Sequence, residues 1–169
     1  DDFTLLDFII AQEEKLNNDG KEQESAAEAI ENNIRKKVVQ KIVINPAYYS
    51  KMSEVLEQLI LDRKKGVLAY KQLLQKYIEL AQQVTKPEDN TRYPESIRTN
   101  GALRALFDNC GEDEGLALKI HKAVTKSKQD GFRHNLMKER RIKQELFKVL
   151  KNVDEVERVY EIVKEQEEY

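Results

Sequence analysis

Cysteine is nearly absent. Cys110 stands alone, so neither an internal disulfide framework nor a zinc site built on paired cysteines is possible within the chain. Tryptophan is missing, and 6 glycines and 3 prolines in 169 residues leave few turn signals. A sandwich or barrel needs such signals every ~8–12 residues, so those classes are excluded. No apolar run approaches the ~18 residues of a membrane span, so no membrane partner is expected. Neither sign of charge dominates: 29 Lys plus Arg stand against 31 Asp plus Glu. That balance argues against a whole-surface nucleic-acid binder and leaves local patches open. The chain opens on Asp1 with no basic-then-apolar leader, which reads as a piece of a larger cytoplasmic protein.

What the sequence does have is helical rhythm. Leu5, Leu6, Ile9 and Ile10 form one apolar face, with Asp2 or Thr4 placed to cap it, and Asn17-Asn18-Asp19-Gly20 ends the segment. From about Gln23 to Ile44, Ile30, Ile34, Val38 and Ile42 recur every four residues. Acids come first in that segment and bases last (Arg35, Lys36, Lys37, Lys41), an order that suits the helix dipole and needs no DNA to explain it. Asn45-Pro46 is a start signal, and Tyr49, Met52, Leu56, Leu59 and Ile60 follow as a face. Gly66 breaks the chain before Leu68, Leu73, Leu74, Tyr77, Ile78, Ala81 and Val84, which predicts an antiparallel helical hairpin.

Residues 85–99 are the least regular stretch, with a polar run and an extended Tyr93-Pro94. They are the predicted linker between a helical part at 1–84 and a helical subdomain at 100–169. Four short helices are expected in the second half, around Leu103–Phe107, Leu116–Lys128, Leu136–Leu150 and Val153–Val163. The fold class is therefore all-α, with two small bundle-like subdomains.

The motifs of several chemistries are missing. No glycine opens a phosphate-binding loop, and His121 and His134 lack metal-ligand spacing. Cys110 beside Gly111 reads as a buried, inert thiol. The acid-x-Lys triplets Glu13–Lys15, Asp19–Lys21 and Asp62–Lys64 have no strand pair to hold them, so none is a nuclease site. The expectation is a fragment with no catalytic residue, no cofactor and no metal.

One surface stands out. Residues 133–151 carry Arg133, Lys138, Arg140, Arg141, Lys143, Lys148 and Lys151 against Glu139 and Glu145, and the next helix is acidic. Either the two helices neutralise each other, or the basic face meets phosphate or an acidic protein. Ahead of it, Asp130-Gly131 is a turn signal that can project Phe132 and Arg133. Phe132, Arg133, Arg140 and Arg141 are the candidate partner-facing residues, since an aromatic beside arginines is a common interface anchor. The competing account makes Phe132 core and pairs the arginines with Glu157, Glu161 and Glu165.

Several runs act together as a signature: Asn45-Pro46-Ala47-Tyr48-Tyr49, Lys51-Met52-Ser53, Tyr93-Pro94-Glu95-Ser96, Asn100, and Arg104-Ala105-Leu106-Phe107-Asp108-Asn109. Leu116-Ala117-Leu118, Asp130-Gly131-Phe132-Arg133, Lys138-Glu139-Arg140 and Glu155-Val156-Glu157-Arg158 complete it. From roughly residue 20 onward the chain resembles the C-terminal region of the restriction (motor, R) subunit of type I restriction–modification enzymes. It departs from that pattern at Phe132, His134 and Cys110, where the family has Trp, Gly and often Leu.

The resemblance implies a parent subunit that is an ATP-dependent type I site-specific deoxyribonuclease. Such a subunit has a metal-dependent nuclease domain, two helicase-type ATPase domains and a terminal helical part. ATP and magnesium belong to the parent alone, and none of its nuclease or ATPase motifs matches a position here. The implied partner is the methyltransferase subunit, with this region as a non-catalytic attachment module. The alternative is a DNA-guiding module that holds duplex backbone through the basic helix 133–151.

Overall fold

The computed structural model describes residues 2–18 and 20–169, with the side chains of residues 2–4 outside the description. The cap expected from Asp2 or Thr4, and Asp19 with its turn and triplet, therefore lie outside the described residues. Among the described residues ten α-helices follow one another: α1 (Asp2–Ala11), α2 (Glu13–Leu16), α3 (Lys21–Lys41), α4 (Pro46–Lys64), α5 (Tyr70–Thr85), α6 (Glu95–Arg98), α7 (Gly101–Asn109), α8 (Glu114–Ser127), α9 (Leu136–Leu150) and α10 (Val153–Val163). Two 3-10 turns, Pro87–Asp89 and Phe132–His134, complete the regular structure, and no strand occurs among the described residues. The fold is all-α.

Two units form. One takes Asp1–Ile42 and Tyr49–Asn90, the other Val43–Tyr48 and Thr91–Tyr169. The division falls inside the expected linker, yet residues 85–99 do not behave as one. Tyr93 and Ile97 are 1% and 0% exposed, because an extended Tyr93 ahead of Pro94 turns its ring inward to meet Tyr48 and Phe107. Residues 43–48, expected with the N-terminal part, belong to the second unit.

In the first unit, the four-residue stripe of α3 is buried at Ile30, Ile34 and Val38. From α1, Leu5 and Ile9 join it. Ile10, expected on the same face, is exposed, since one further residue rotates a helical side chain by ~100°. From α4 come Tyr49, Met52, Leu56, Leu59 and Ile60, and from α5 Leu73, Tyr77, Leu80, Ala81 and Val84. Each such apolar side chain contributes ~1.5–3 kcal/mol on burial. The Tyr49 hydroxyl donates to the Val84 carbonyl, joining the start of α4 to the end of α5. A buried carboxylate ties three helices together: Glu31 of α3 accepts from Arg63 of α4 and from the Tyr77 hydroxyl of α5.

The second unit is organised around Asp108 on α7. Its carboxylate accepts from Arg92 (2.8 Å), from the Asn45 side chain (2.8 Å) and from the Tyr93 hydroxyl. Asn45 also caps α4 by accepting from the Tyr48 backbone N–H. Its neighbour in this network, Asn109, donates to the Asn45 side-chain oxygen and accepts from the Ala47 N–H. From α10, Arg158 donates to the Asn109 carbonyl, and Gln166 donates to the Ile44 carbonyl. Tyr93, Asp108 and Asn109 thus fix segment 43–48, and Arg158 holds Asn109 in turn. Around them α7 to α10 pack a core of Leu106, Ile120, Val124, Ile142, Leu146, Val159 and Val163. Side-chain caps start α4 and each of α7 to α10: Asn45 at α4, Asn100 at α7, Asp113 at α8, Asn135 at α9 and Asn152 at α10.

Candidate functional site

The site grows from a turn. Gly131 adopts φ 75°, a left-handed conformation that glycine takes without steric cost, and the chain folds back through the 3-10 turn Phe132–His134. Asn135 then caps α9 by accepting from the N–H groups of Met137 and Lys138. Lys138 returns to the turn and donates to the Asp130 carbonyl. At the far end Lys151 closes α9 with φ 53°, and Asn152 at once caps α10.

The four candidate residues separate into two kinds. Phe132 is 2% exposed and sits edge-on to Tyr160, so it is core and not part of a partner-facing surface. A ring leaving a left-handed glycine can point inward as readily as outward, and here the apolar interior takes it. Arg133 donates to the carbonyls of Lys164 and Gln166, just past the end of α10, at 2.6 and 2.7 Å. Carbonyls at a helix C-terminus attract a cation, so this guanidinium anchors the chain end of α10 and also covers the Phe132 ring. Arg140 and Arg141 are different. Both are exposed, and neither has an acidic partner among the described residues.

The acidic last helix answers a lysine. Lys143 bonds Glu157 at 2.8 Å and Glu139 at 3.3 Å, and these pairings raise its pKa against the opposing pull of burial. Glu145 pairs with Lys148 at 2.7 Å and reaches Lys126 at 3.8 Å. Both acids of α9 are thus engaged. Met137, Arg140, Arg141, Gln144, Phe147 and Lys151 remain on the outer face at intervals of three and four residues. Met137 is 77% exposed and Phe147 47%. Beside Phe147, a groove of about 530 Å³ opens between α9 and α10; Val153 and Val156 line it together with Arg140, Lys143 and Lys148 and with the acids Glu145 and Glu157.

Burial pushes the Cys110 thiol up, which keeps it protonated and a poor nucleophile. His121 meets the Tyr169 hydroxyl through Nδ1 at 2.6 Å; burial, with Lys128 nearby, lowers its pKa although Glu168 opposes the shift. Among the described residues, no group of three or more His, Cys, Asp or Glu side chains is placed to hold a metal ion. No helix among them is long and apolar enough to cross a membrane.

Sequence reasoning missed the two polar hubs at Glu31 and Asp108, and it missed the exposed Phe147 and Val153. A signal for Asn135 and Asn152 was present, since each asparagine directly precedes a periodic helical segment. No protein-family model, curated protein or solved structure matches the chain.

Proposed function

We propose that this chain is a non-catalytic assembly module. In this reading it is the C-terminal helical domain of a type I restriction R subunit, a cytoplasmic protein. It docks the ATP-dependent translocase and endonuclease onto the methyltransferase–specificity core. The supporting observation is where the signature residues fall. Asn45, Tyr93, Asp108, Asn109, Arg133 and Arg158 all hold backbone or one another within the second unit. The signature therefore describes a scaffold, and that scaffold displays the outer face of α9. ATP and magnesium chemistry stays with the other domains of the parent.

The test is retention of the chain by the methyltransferase–specificity core, with and without duplex DNA. Retention in the absence of DNA is the expected result. A second reading, duplex guidance along α9, draws on the exposed Arg140, Arg141 and Lys151. It requires affinity to fall steeply with salt, with a slope near about −0.9 per phosphate neutralised. DNA binding with that slope and no contact to the core reverses the ranking.

A further inference from the structure

We infer that the α9/α10 groove and the outer face of α9 receive an acidic amphipathic helix of a protein partner, with its apolar side chains against Phe147 and Val153. The inference rests on the docking reading and adds the place and the chemistry of the contact. Two independent observations carry it.

The first is apolar exposure where folding does not require it. Met137, Phe147 and Val153 are 77%, 47% and 64% exposed, while Ile142 and Leu146 on the opposite side of α9 are fully buried. The unit's own core covers the Ile142 and Leu146 side of α9, while Met137 and Phe147 of α9 and Val153 at the start of α10 stay outside it. The groove beside Phe147, about 530 Å³, lies within the ~300–1,000 Å³ range of clefts that hold ligand groups. An amphipathic helix laid in such a groove uses apolar side chains at i, i+3, i+4 and i+7.

The second is charge. The exposed cations Arg140, Arg141 and Lys151 have no acidic partner among the described residues, and both α9 acids already carry a lysine. Glu145 and Glu157 also line the groove, but each is held by a lysine, Lys148 and Lys143. The charges left without an opposite partner on the face of α9 are positive, and the complementary surface is acidic. Duplex DNA is also acidic, but its backbone offers nothing to cover Met137, Phe147 and Val153. Apolar and cationic groups interleaved on one helix face fit a protein segment that alternates Glu or Asp with Leu.

The probe is a labelled synthetic helix of ~18 residues, five turns long, with Leu at i, i+3, i+4 and i+7 and Glu on its flanks. Binding to the full chain is read by fluorescence anisotropy. Controls are a scrambled peptide of the same composition, the same stripe flanked by Lys, and a duplex of ~20 base pairs. The expected result is that the scrambled and Lys-flanked peptides bind at least ~10-fold more weakly. The variant pairs Phe147→Ala with Val153→Ala, and Arg140→Glu with Arg141→Glu, each weaken binding by at least ~10-fold at an unchanged melting temperature. Equal binding of the scrambled peptide overturns the inference, as does duplex binding tighter than the acidic helix.

Retention of the methyltransferase–specificity core, measured on the same variants, separates the two readings. If the core holds wild type and both variant pairs equally, the groove is not the dock and this inference falls while docking stands. If the core holds none of them and the acidic helix still binds the groove, the docking reading falls and the surface assignment stands.

Discussion

Arg63 clasps the buried carboxylate of Glu31 with Nε at 2.7 Å and Nη2 at 2.9 Å, and the Tyr77 hydroxyl joins the same group at 2.6 Å. Glu31 is 3% exposed, so its charge depends on these partners. Arg63→Ala strands that charge and is expected to destabilise the chain by ~3–5 kcal/mol. Tyr77→Phe removes one neutral donor and is expected to cost ~1–2 kcal/mol. Urea unfolding of both variants checks the order. An arginine variant no worse than the tyrosine variant contradicts the account of a paired buried charge.

The arginines of the basic segment are not equivalent. Arg133→Ala removes two charge-assisted bonds to the carbonyls beyond α10, which at a partly exposed site is expected to cost ~1–2 kcal/mol. Arg140→Ala and Arg141→Ala touch exposed side chains and should stay within ~0.5 kcal/mol of wild type. Urea midpoints measured side by side decide this. Equal loss at all three positions would place Arg140 or Arg141 in a stabilising contact.

Lys151 holds φ 53° at the end of α9, a conformation that disfavours a side chain. Lys151→Gly removes that steric strain at a helix end where glycine is the usual occupant, with an expected gain of ~0.5–1 kcal/mol. Thermal unfolding should show a raised midpoint. A lowered midpoint would mean that the lysine side chain contributes more than its backbone conformation costs.

Burial lowers the His121 pKa, so the folded chain favours the neutral ring more than the unfolded chain does. The folded state then binds fewer protons, and stability is full above the unfolded value near 6.5. It is lost as pH falls through 6.5 and on through the lower folded value. His121→Gln should flatten this part of the acid dependence. An NMR titration of the ring checks the cause, and a midpoint above 6.5 would refute it.

Helix faces were legible because their signal is local. Ile30, Ile34 and Val38 mark the buried side of α3 by spacing alone; Ile42, expected to continue the stripe, caps the helix end and is half-buried. The hubs were not legible, because each joins residues far apart along the chain. Glu31 and Tyr77 are separated by 46 positions, and Asn45 and Asp108 by 63. Glu31 looked like one more acid of α3, and only the third dimension distinguishes it from Glu28. The candidate site was half legible. The basic run was visible in the sequence, but charge alone cannot tell a guanidinium that caps a neighbouring helix from one that faces solvent. Arg133 and Arg140 differ in that respect.

The placement of Asn45 and Tyr48 bears on how the chain reaches its native state. During synthesis Asn45 emerges 63 residues ahead of Asp108, and everything made in the interval from Tyr49 to Asn90 builds the other unit. The Asn45 amide cannot meet Asp108 until α7 exists. Closing a loop of that length carries an entropic penalty that short-range helix pairing avoids. The contact of Asn45 with Asp108 therefore carries a larger closure penalty than the local helix contacts around it. Cleavage at the Asn90–Thr91 junction would not give two whole pieces, since the C-terminal product would expose Tyr93 and leave Asp108 without its asparagine. A split version that folds would have to carry residues 43–48 along with the second half.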